Sequence, residues 1–231
     1  MDAKTGVRVL SERGWLSRTP APFRSAMLKR CQWRRYDAGE TLFVAGDPPG
    51  GIFGVADGSV GGATGLGPAE TPTMHIGQPG LWVGEGPIIT GDPRRITVFA
   101  VTAAYVAQVP LAELKAALSD RPEWWQHIAQ LSQSMNDIVG NALADSMIRD
   151  ADRRCAAILL RLCDCRFIDN HVEIEREVMV TQDELAAMAN LSRSSVNPIL
   201  RRFAKRKLIE IRYRSIVVIG TKKLRDTIEG R

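Results

Sequence analysis

Fifteen of the 20 glycines in this 231-residue chain fall between Gly39 and Gly91. Brief apolar runs alternate with them: Thr41–Val44, Ile52–Ala56 and Ser59–Val60, separated by Gly-Asp-Pro-Pro-Gly and by Asp57-Gly58. Glycine at that density interrupts any long helix, so the segment reads as short strands joined by turns. Asp57-Gly58 predicts a hairpin, because both residues tolerate positive φ. Runs at Ile96–Val101 and Tyr105–Val109 continue the pattern. Many short strands at close spacing imply a small barrel or jelly roll. Ahead of it, Thr19-Pro20 supplies an N-cap and a proline at the first helical position, predicting a short helix over Ala21–Arg30.

Past Pro110 glycine nearly vanishes and helical periodicity replaces it. Pro122 opens a long helix reaching about Met147. Its apolar residues Trp124, Ile128, Leu131, Met135, Ile138 and Ala142 step by 4, 3, 4, 3, 4, a heptad seam that reads first as a dimerising coiled coil. A helix packed within one subunit is the other reading of the same seam. A second helix, Asp152–Cys165, buries Ala156, Leu159, Leu160, Leu162 and Cys163.

Charge divides the chain at about the same place. Residues 1–148 carry 13 Lys/Arg against 14 Asp/Glu, whereas residues 149–231 carry 18 against 12, so the net +5 lies in the C-terminal third. Arg193–Arg214 holds eight basic residues and one acid, Glu210. That excess points to a polyanion-binding module, with a solvated basic face as the plainer alternative.

Within the basic third, Thr181-Gln182-Asp183-Glu184 forms a capping box that opens a helix with Leu185, Ala186, Met188 and Ala189 inward. Asn190 stands where a tight turn needs a left-handed residue, Leu191 plugs the turn, and Ser192 can cap a second helix to about Lys205. Helix, four-residue turn and helix is helix-turn-helix spacing. Two β runs, Leu208–Tyr213 and Ile216–Ile219, then supply a wing around Arg214-Ser215. The second helix of such a module meets base edges in the major groove. Arg193 suits guanine O6/N7 and Asn197 an adenine edge, while Ser194 and Ser195 are short donors. Arg201 and Arg202, with Lys205 and Arg206, would hold phosphates. Thr181, Gln182 and Ser192 complete the expected DNA-binding set. Pro198 is anomalous: in a helix capped by Ser192 it leaves the Ser194 carbonyl without its partner, so a kinked or late-starting first turn is expected.

No apolar stretch reaches the roughly 18–20 residues needed to cross a bilayer, and the N-terminus lacks a signal-peptide core. The expected location is cytoplasmic. Cys31, Cys155, Cys163 and Cys165 fit no disulfide framework, and Cys163-x-Cys165 is too tight a pair for a zinc knuckle. No catalytic constellation appears, so no enzyme activity and no metal site is expected.

The stretch from Tyr36 to Val60, "GLWVGEGPIITGDPRRITVFA" and "TQDELAAMANLSRSSVNPILRRFAKRKLIEI" together resemble the CRP/FNR family of bacterial transcription regulators over nearly the whole chain. The first two are similar to that family's cyclic-nucleotide-binding β-roll and its phosphate-binding cassette. The resemblance implies that Gly84 and Glu85 hold a ribose and Arg94 neutralises a phosphate, with Arg95 beside it. The chain departs from the pattern at Pro87, which removes an N–H, at Arg95, where a small residue is usual, and in an irregular loop between Gly61 and Pro72. A vestigial pocket in which Glu85 pairs with Arg94 is therefore the alternative to a ligand site. No N-terminal cysteine cluster serves an iron–sulfur centre, and His75, His127 and His171 are poor haem candidates.

The expected fold is α+β: a double-stranded β-helix (jelly roll) sensor over 1–118, a dimerisation helix over 119–148 and a winged helix-turn-helix domain over 149–231. The expected function is a homodimeric, sequence-specific regulator controlled through the β-roll by a small ligand, with cAMP or cGMP as candidates. Its alternative is a ligand-independent regulator. Expected partners are a roughly palindromic double-stranded DNA operator and a second copy of the chain, with RNA polymerase a further candidate and no membrane.

Overall fold

The computed structural model describes residues 1–64, 73–165 and 175–229; His171 and most of the loop between Gly61 and Pro72 lie outside them. Two compact units divide the chain: residues 1–71 with 77–137, and residues 72–76 with 138–231.

The first unit opens with helices α1 (Ala3–Glu12), α2 (Gly14–Ser17) and α3 (Ala21–Lys29). Strands β1 (Gln32–Tyr36), β2 (Thr41–Phe43), β3 (Gly51–Asp57), β4 (Val60–Ala63), β5 (Ile76–Gly77) and β6 (Trp82–Val83) follow. Then come α4 (Gly86–Thr90), β7 (Thr97–Ala100), β8 (Ala104–Pro110), α5 (Leu111–Asp120) and, after a single turn at Pro122–Trp124, α6 (Trp125–Met147), which passes into the second unit after Asp137. The strands form two four-stranded sheets, ordered β1-β8-β3-β6 and β2-β7-β4-β5, which make the expected β-roll. Gly54 lets Trp82 lie flat on β3, since a Cβ there would sit 2.5 Å from the indole.

Three expectations change in this unit. Asp57-Gly58 is a tight turn, with Gly58 at φ 72, but it closes no hairpin. It passes the chain from β3 in one sheet to β4 in the other. Thr19 does not cap α3; its hydroxyl donates to the Leu16 carbonyl at 2.7 Å, and Pro20 takes the N-cap position. The heptad seam is divided as well. Ile128 and Leu131 are fully buried in the core with Leu10, Trp15, Phe23 and Leu118, and Met135 packs on a second apolar cluster. The apolar residues that α6 leaves exposed are instead Trp125, Val139, Leu143 and Met147.

The second unit holds α7 (Ala151–Leu162), β9 (Arg176–Val178), α8 (Gln182–Met188), α9 (Arg193–Lys205), β10 (Ile209–Arg212), β11 (Ser215–Val218) and α10 (Thr221–Glu229). Its three strands run antiparallel in the order β10-β11-β9. Asp150 caps α7 by accepting from the Arg153 N–H at 2.8 Å, and every residue from Cys155 to Leu162 is buried. α7 ends at Leu162, three residues short of expectation. Arg161, only 4% exposed, donates Nε to Asp145 Oδ2 at 2.9 Å. It also donates Nη1 to the Met74 carbonyl at 3.2 Å and to His75 Nδ1 at 2.9 Å. Burial, and then the Arg161 charge, push His75 down to about 3, so the imidazole is neutral and accepts.

Candidate functional site

The expected ligand residues gather where β6 runs into α4. Gly84 has φ 101, and a Cβ on it would stand 2.9 Å from Arg94 Nη1 and 2.8 Å from the Gly51 carbonyl. Only glycine fits there, because both the backbone conformation and the space exclude a side chain. Glu85, at the start of α4, is 8% exposed. Burial raises its carboxyl above the usual range, opposed by the backbone N–H groups of Glu85 and Gly84 and, more weakly, by Arg94.

Arg94 is the centre of this pocket. It is 4% exposed and lies over the Phe43 ring at 3.8 Å and the Phe53 ring at 5.3 Å. Nη2 donates to the Gly51 carbonyl at 3.1 Å, while Nη1 is buried with no hydrogen-bond partner. Among the described residues no ion pair joins Arg94 to Glu85, so the mutual neutralisation expected of a vestigial pocket is absent. Burial lowers the affinity of Arg94 for its proton, with Asp47 and Glu85 opposing. A buried guanidinium with a free N–H can take an anionic oxygen, and the carboxylate of Glu85 can take hydroxyls. Arg95 lies elsewhere: its side chain is exposed and pairs with Asp92 at 3.0 Å. Pro87 sits in the first turn of the five-residue α4, where it carries no N–H.

The second unit assembles the expected helix-turn-helix. The capping box is complete: the Glu184 N–H donates to Thr181 Oγ1 at 3.2 Å, and the Thr181 N–H donates to Glu184 Oε2 at 2.6 Å. Asn190 takes φ 49 in the turn. α9 buries Val196, Ile199, Leu200 and Phe203 and turns Arg193, Ser194, Ser195, Arg201, Arg202 and Lys205 outward. Its first turn does not start late. Ser192 Oγ accepts from the Ser195 N–H at 3.1 Å, Val196 N–H reaches the Ser192 carbonyl, and the helix continues through Pro198.

Several of the expected DNA-facing side chains already hold one another. Ser192 Oγ lies 2.8 Å from both Ser194 Oγ and Ser195 Oγ, and Asn197 Nδ2 donates to Gln182 Oε1 at 3.3 Å. Arg193 is 3.3 Å from Asp183, and Arg202 makes two hydrogen bonds to Asp152 of α7. Sequence reasoning missed the wing tip. Arg212 pairs with Ser215, so the turn is Tyr213-Arg214, one residue earlier than expected, with Arg214 at φ 57. Tyr213 is 90% exposed between two arginines, and an aromatic in the run Arg-Tyr-Arg was the available signal.

Residues 33–121 match the model of the cyclic nucleotide-binding domain, and residues 153–227 match that of the Crp-like helix-turn-helix domain. The chain belongs to the CRP/FNR family of transcription regulators. Its relatives include the CRP-like cAMP-activated global transcriptional regulator of Mycobacterium tuberculosis, 24% identical over 200 residues, covering 87% of this chain and 89% of that one. The cAMP-activated global transcriptional regulator CRP of Salmonella typhimurium is 23% identical over 198 residues, covering 84% and 93%. Among solved structures, FixK2 from Bradyrhizobium japonicum superposes with a TM-score of 0.68 at 15% identity, covering 85% of this chain and 96% of that one. The c-di-GMP-responsive regulator CLP of Xanthomonas campestris gives 0.60 at 22%, covering 87% and 100%. As a CRP/FNR protein the chain is a transcription regulator built from a cyclic-nucleotide-binding domain and a DNA-binding helix-turn-helix. Among the described residues no helix is long and apolar enough to cross a membrane.

Proposed function

We propose that this CRP/FNR protein is a homodimeric, sequence-specific DNA-binding regulator whose β-roll takes a small anionic ligand of the cyclic-nucleotide class. The observation that carries the ligand is Arg94 Nη1, a buried cationic donor without an acceptor. A buried polar group of this kind is costly unless a partner arrives, and a phosphate oxygen is a suitable one. Relatives named as cAMP-activated and a structural neighbour named as c-di-GMP-responsive support the class. In this reading Gly84 admits the ligand beside Arg94, Glu85 takes the ribose hydroxyls, and Arg95 acts only through long-range charge.

Residues 1–118 would be the sensor, 119–148 the dimerisation helix and 149–231 the DNA-binding domain, acting in the cytoplasm with RNA polymerase as a further partner. The exposed stripe Val139, Leu143, Met147, at four-residue intervals, supports a second copy packing along the C-terminal half of α6. Arg193, Ser194, Ser195 and Asn197 would read bases, Arg201 and Arg202 would hold phosphates, and Thr181, Gln182 and Ser192 would fix the helix that presents them. Arg193 and Arg202 must exchange Asp183 and Asp152 for phosphate or base, which makes binding steeply salt-dependent.

The test is calorimetric titration of the full chain with cAMP, cGMP and c-di-GMP. Selection of bound DNA from a random pool, with and without each nucleotide, follows it. One nucleotide is expected to bind the native chain and to lose at least about 100-fold in affinity in Arg94→Gln, consistent with a charged hydrogen bond of roughly 3 kcal/mol. Enrichment of one palindromic sequence to the same degree in every pool, with no nucleotide bound, would establish the ligand-independent regulator instead.

A further inference from the structure

α7 ends in a turn that brings two thiols together. Asp164 takes φ 55, a conformation few residues other than glycine adopt. The turn is closed by the Cys165 N–H donating to the Leu160 carbonyl at 2.8 Å and the Asp164 N–H donating to the Arg161 carbonyl at 3.1 Å. Both sulfurs are held against it: Cys163 Sγ donates to the Leu160 carbonyl at 3.4 Å, and Cys165 Sγ to the Cys163 carbonyl at 3.2 Å. Cys163 and Cys165 lie two residues apart around this turn, and each shifts the other's ionisation.

Two guanidiniums from separate elements grip the same turn. Arg176 of β9 donates Nη1 to the Cys163 carbonyl at 3.0 Å, and Arg225 of α10 donates Nε to the Cys165 carbonyl at 3.3 Å. Arg225 Nη2 is buried with no acceptor. The hydrogen bond from Cys163, helped by Arg176 and Arg225 and opposed by burial and Asp164, draws Cys165 down to about 7. Cys163 is pushed up by the same hydrogen bond and by burial. The other two cysteines have no such setting: burial pushes Cys31 and Cys155 up to about 12, and neither has a thiol beside it.

We propose that Cys163 and Cys165 form a dithiol site that hydrogen peroxide oxidises to an intrachain disulfide. The Cys165 thiolate attacks peroxide, the O–O bond breaks, and a sulfenic acid forms as hydroxide leaves and takes up a proton to become water. The Cys163 sulfur then attacks Cys165, the S–O bond breaks, and its thiol proton leaves with the hydroxyl as a second water. Two thiols and one peroxide thus become one disulfide and two waters, with sulfur oxidised and peroxide reduced. The span permits it: two residues fully extended cover at most about 7 Å, a left-handed turn covers less, and disulfides accept Cα separations of roughly 4.4–6.8 Å. Both thiols are buried, so the reaction needs the turn to open locally far enough to admit peroxide, which is little larger than water.

Closing the ring pulls on the two carbonyls that Arg176 and Arg225 hold. β9 is the strand that pairs with wing strand β11, so oxidation reaches the wing. That consequence for DNA rests on the regulator reading; the thiol chemistry does not.

The test treats the reduced, full-length native chain with hydrogen peroxide, then denatures and alkylates it for intact-mass and peptide analysis. The expected result is a chain two hydrogens lighter, with two fewer alkylatable thiols mapping to Cys163 and Cys165. The rate is expected to rise with pH around a midpoint near 7. Cys163→Ser should stop at a Cys165 sulfenic acid that a dimedone-type probe captures. Four alkylatable thiols surviving peroxide that has oxidised exposed methionines such as Met147 would overturn the proposal. So would a disulfide mapping to Cys31 or Cys155, and the native chain needs no variant to fold for either outcome. DNA affinity unchanged after complete, reversible oxidation would leave the chemistry standing and overturn its connection to the wing.

Discussion

Arg94 in the β-roll and Arg161 in α7 are equally buried, each 4% exposed, and they are solved in opposite ways. Arg161 meets a carboxylate, a carbonyl and an imidazole nitrogen within its own unit. Arg94 meets one carbonyl and two aromatic faces, and one of its nitrogens meets nothing. A buried charge with its partners in place is fully used by the fold; a buried charge short of a partner keeps a donor in reserve. Burial alone separates neither case, and the inventory of acceptors separates both.

The largest break in that comparison should come from Arg161→Met. It leaves Asp145 buried beside an apolar side chain, and breaking a buried pair from one side costs about 3–5 kcal/mol. Denaturant melting should show the loss. Acid should act next. His75 falls from an unfolded value of 6.5 to about 3 when folded, so the unfolded chain binds the extra proton between those values. The contribution of His75 is therefore fully present above pH 6.5 and declines below it, by about 1–2 kcal/mol at pH 5. In His75→Gln the pH dependence of melting over that window should flatten.

Arg94→Gln should move stability by no more than about 1 kcal/mol, because the lost carbonyl bond and ring contact are offset by removing an under-partnered charge. A loss as large as that of Arg161→Met would make Arg94 a structural residue and erase the contrast. The smallest effect belongs to Glu85→Gln. Burial raises the folded carboxyl above its unfolded value, so at pH 7 the charged form costs stability in the fold and not in the unfolded chain. The variant should melt slightly higher at pH 7 while losing ribose recognition; the gain should vanish in acid, where the native carboxyl is already neutral.

What could be read from the sequence followed the range of the interaction. The capping box at Thr181, the left-handed Asn190 and the inward face of α7 depend on neighbours within four residues, and all stand as expected. Gly84 and Arg94 were placed by motif, and they meet. Expectations failed where a competitor lay far along the chain or where a local rival was overlooked. Asp57-Gly58 looks like a hairpin, yet β3 prefers β8 and β6 as partners. Thr19 gave its hydroxyl to Leu16 rather than to a helix end. Ile128 and Leu131 satisfy a heptad, but α1, α2 and α5 already offer them a core. No pattern of spacing shows that Arg202 finds Asp152, or that Arg94 Nη1 finds nothing.

The sheet change at Asp57-Gly58 also sets an order of assembly. Among the described residues β1 pairs with β8 alone, placing Gln32 opposite Gln108, and β2 with β7 alone. β2 cannot dock until the chain through Ala100 exists, nor β1 until β8 follows, so during synthesis the first two strands wait unpaired while most of the roll is made. In the helix-turn-helix α8 and α9 are consecutive in the chain and pack without such a delay. Chains with distant pairings fold more slowly than those with near ones, and their waiting edges are prone to aggregate. In cells that translate this chain quickly, the roll is therefore the part most dependent on chaperones, and solubility losses should track mutations in β7 and β8 more than those in α8 and α9.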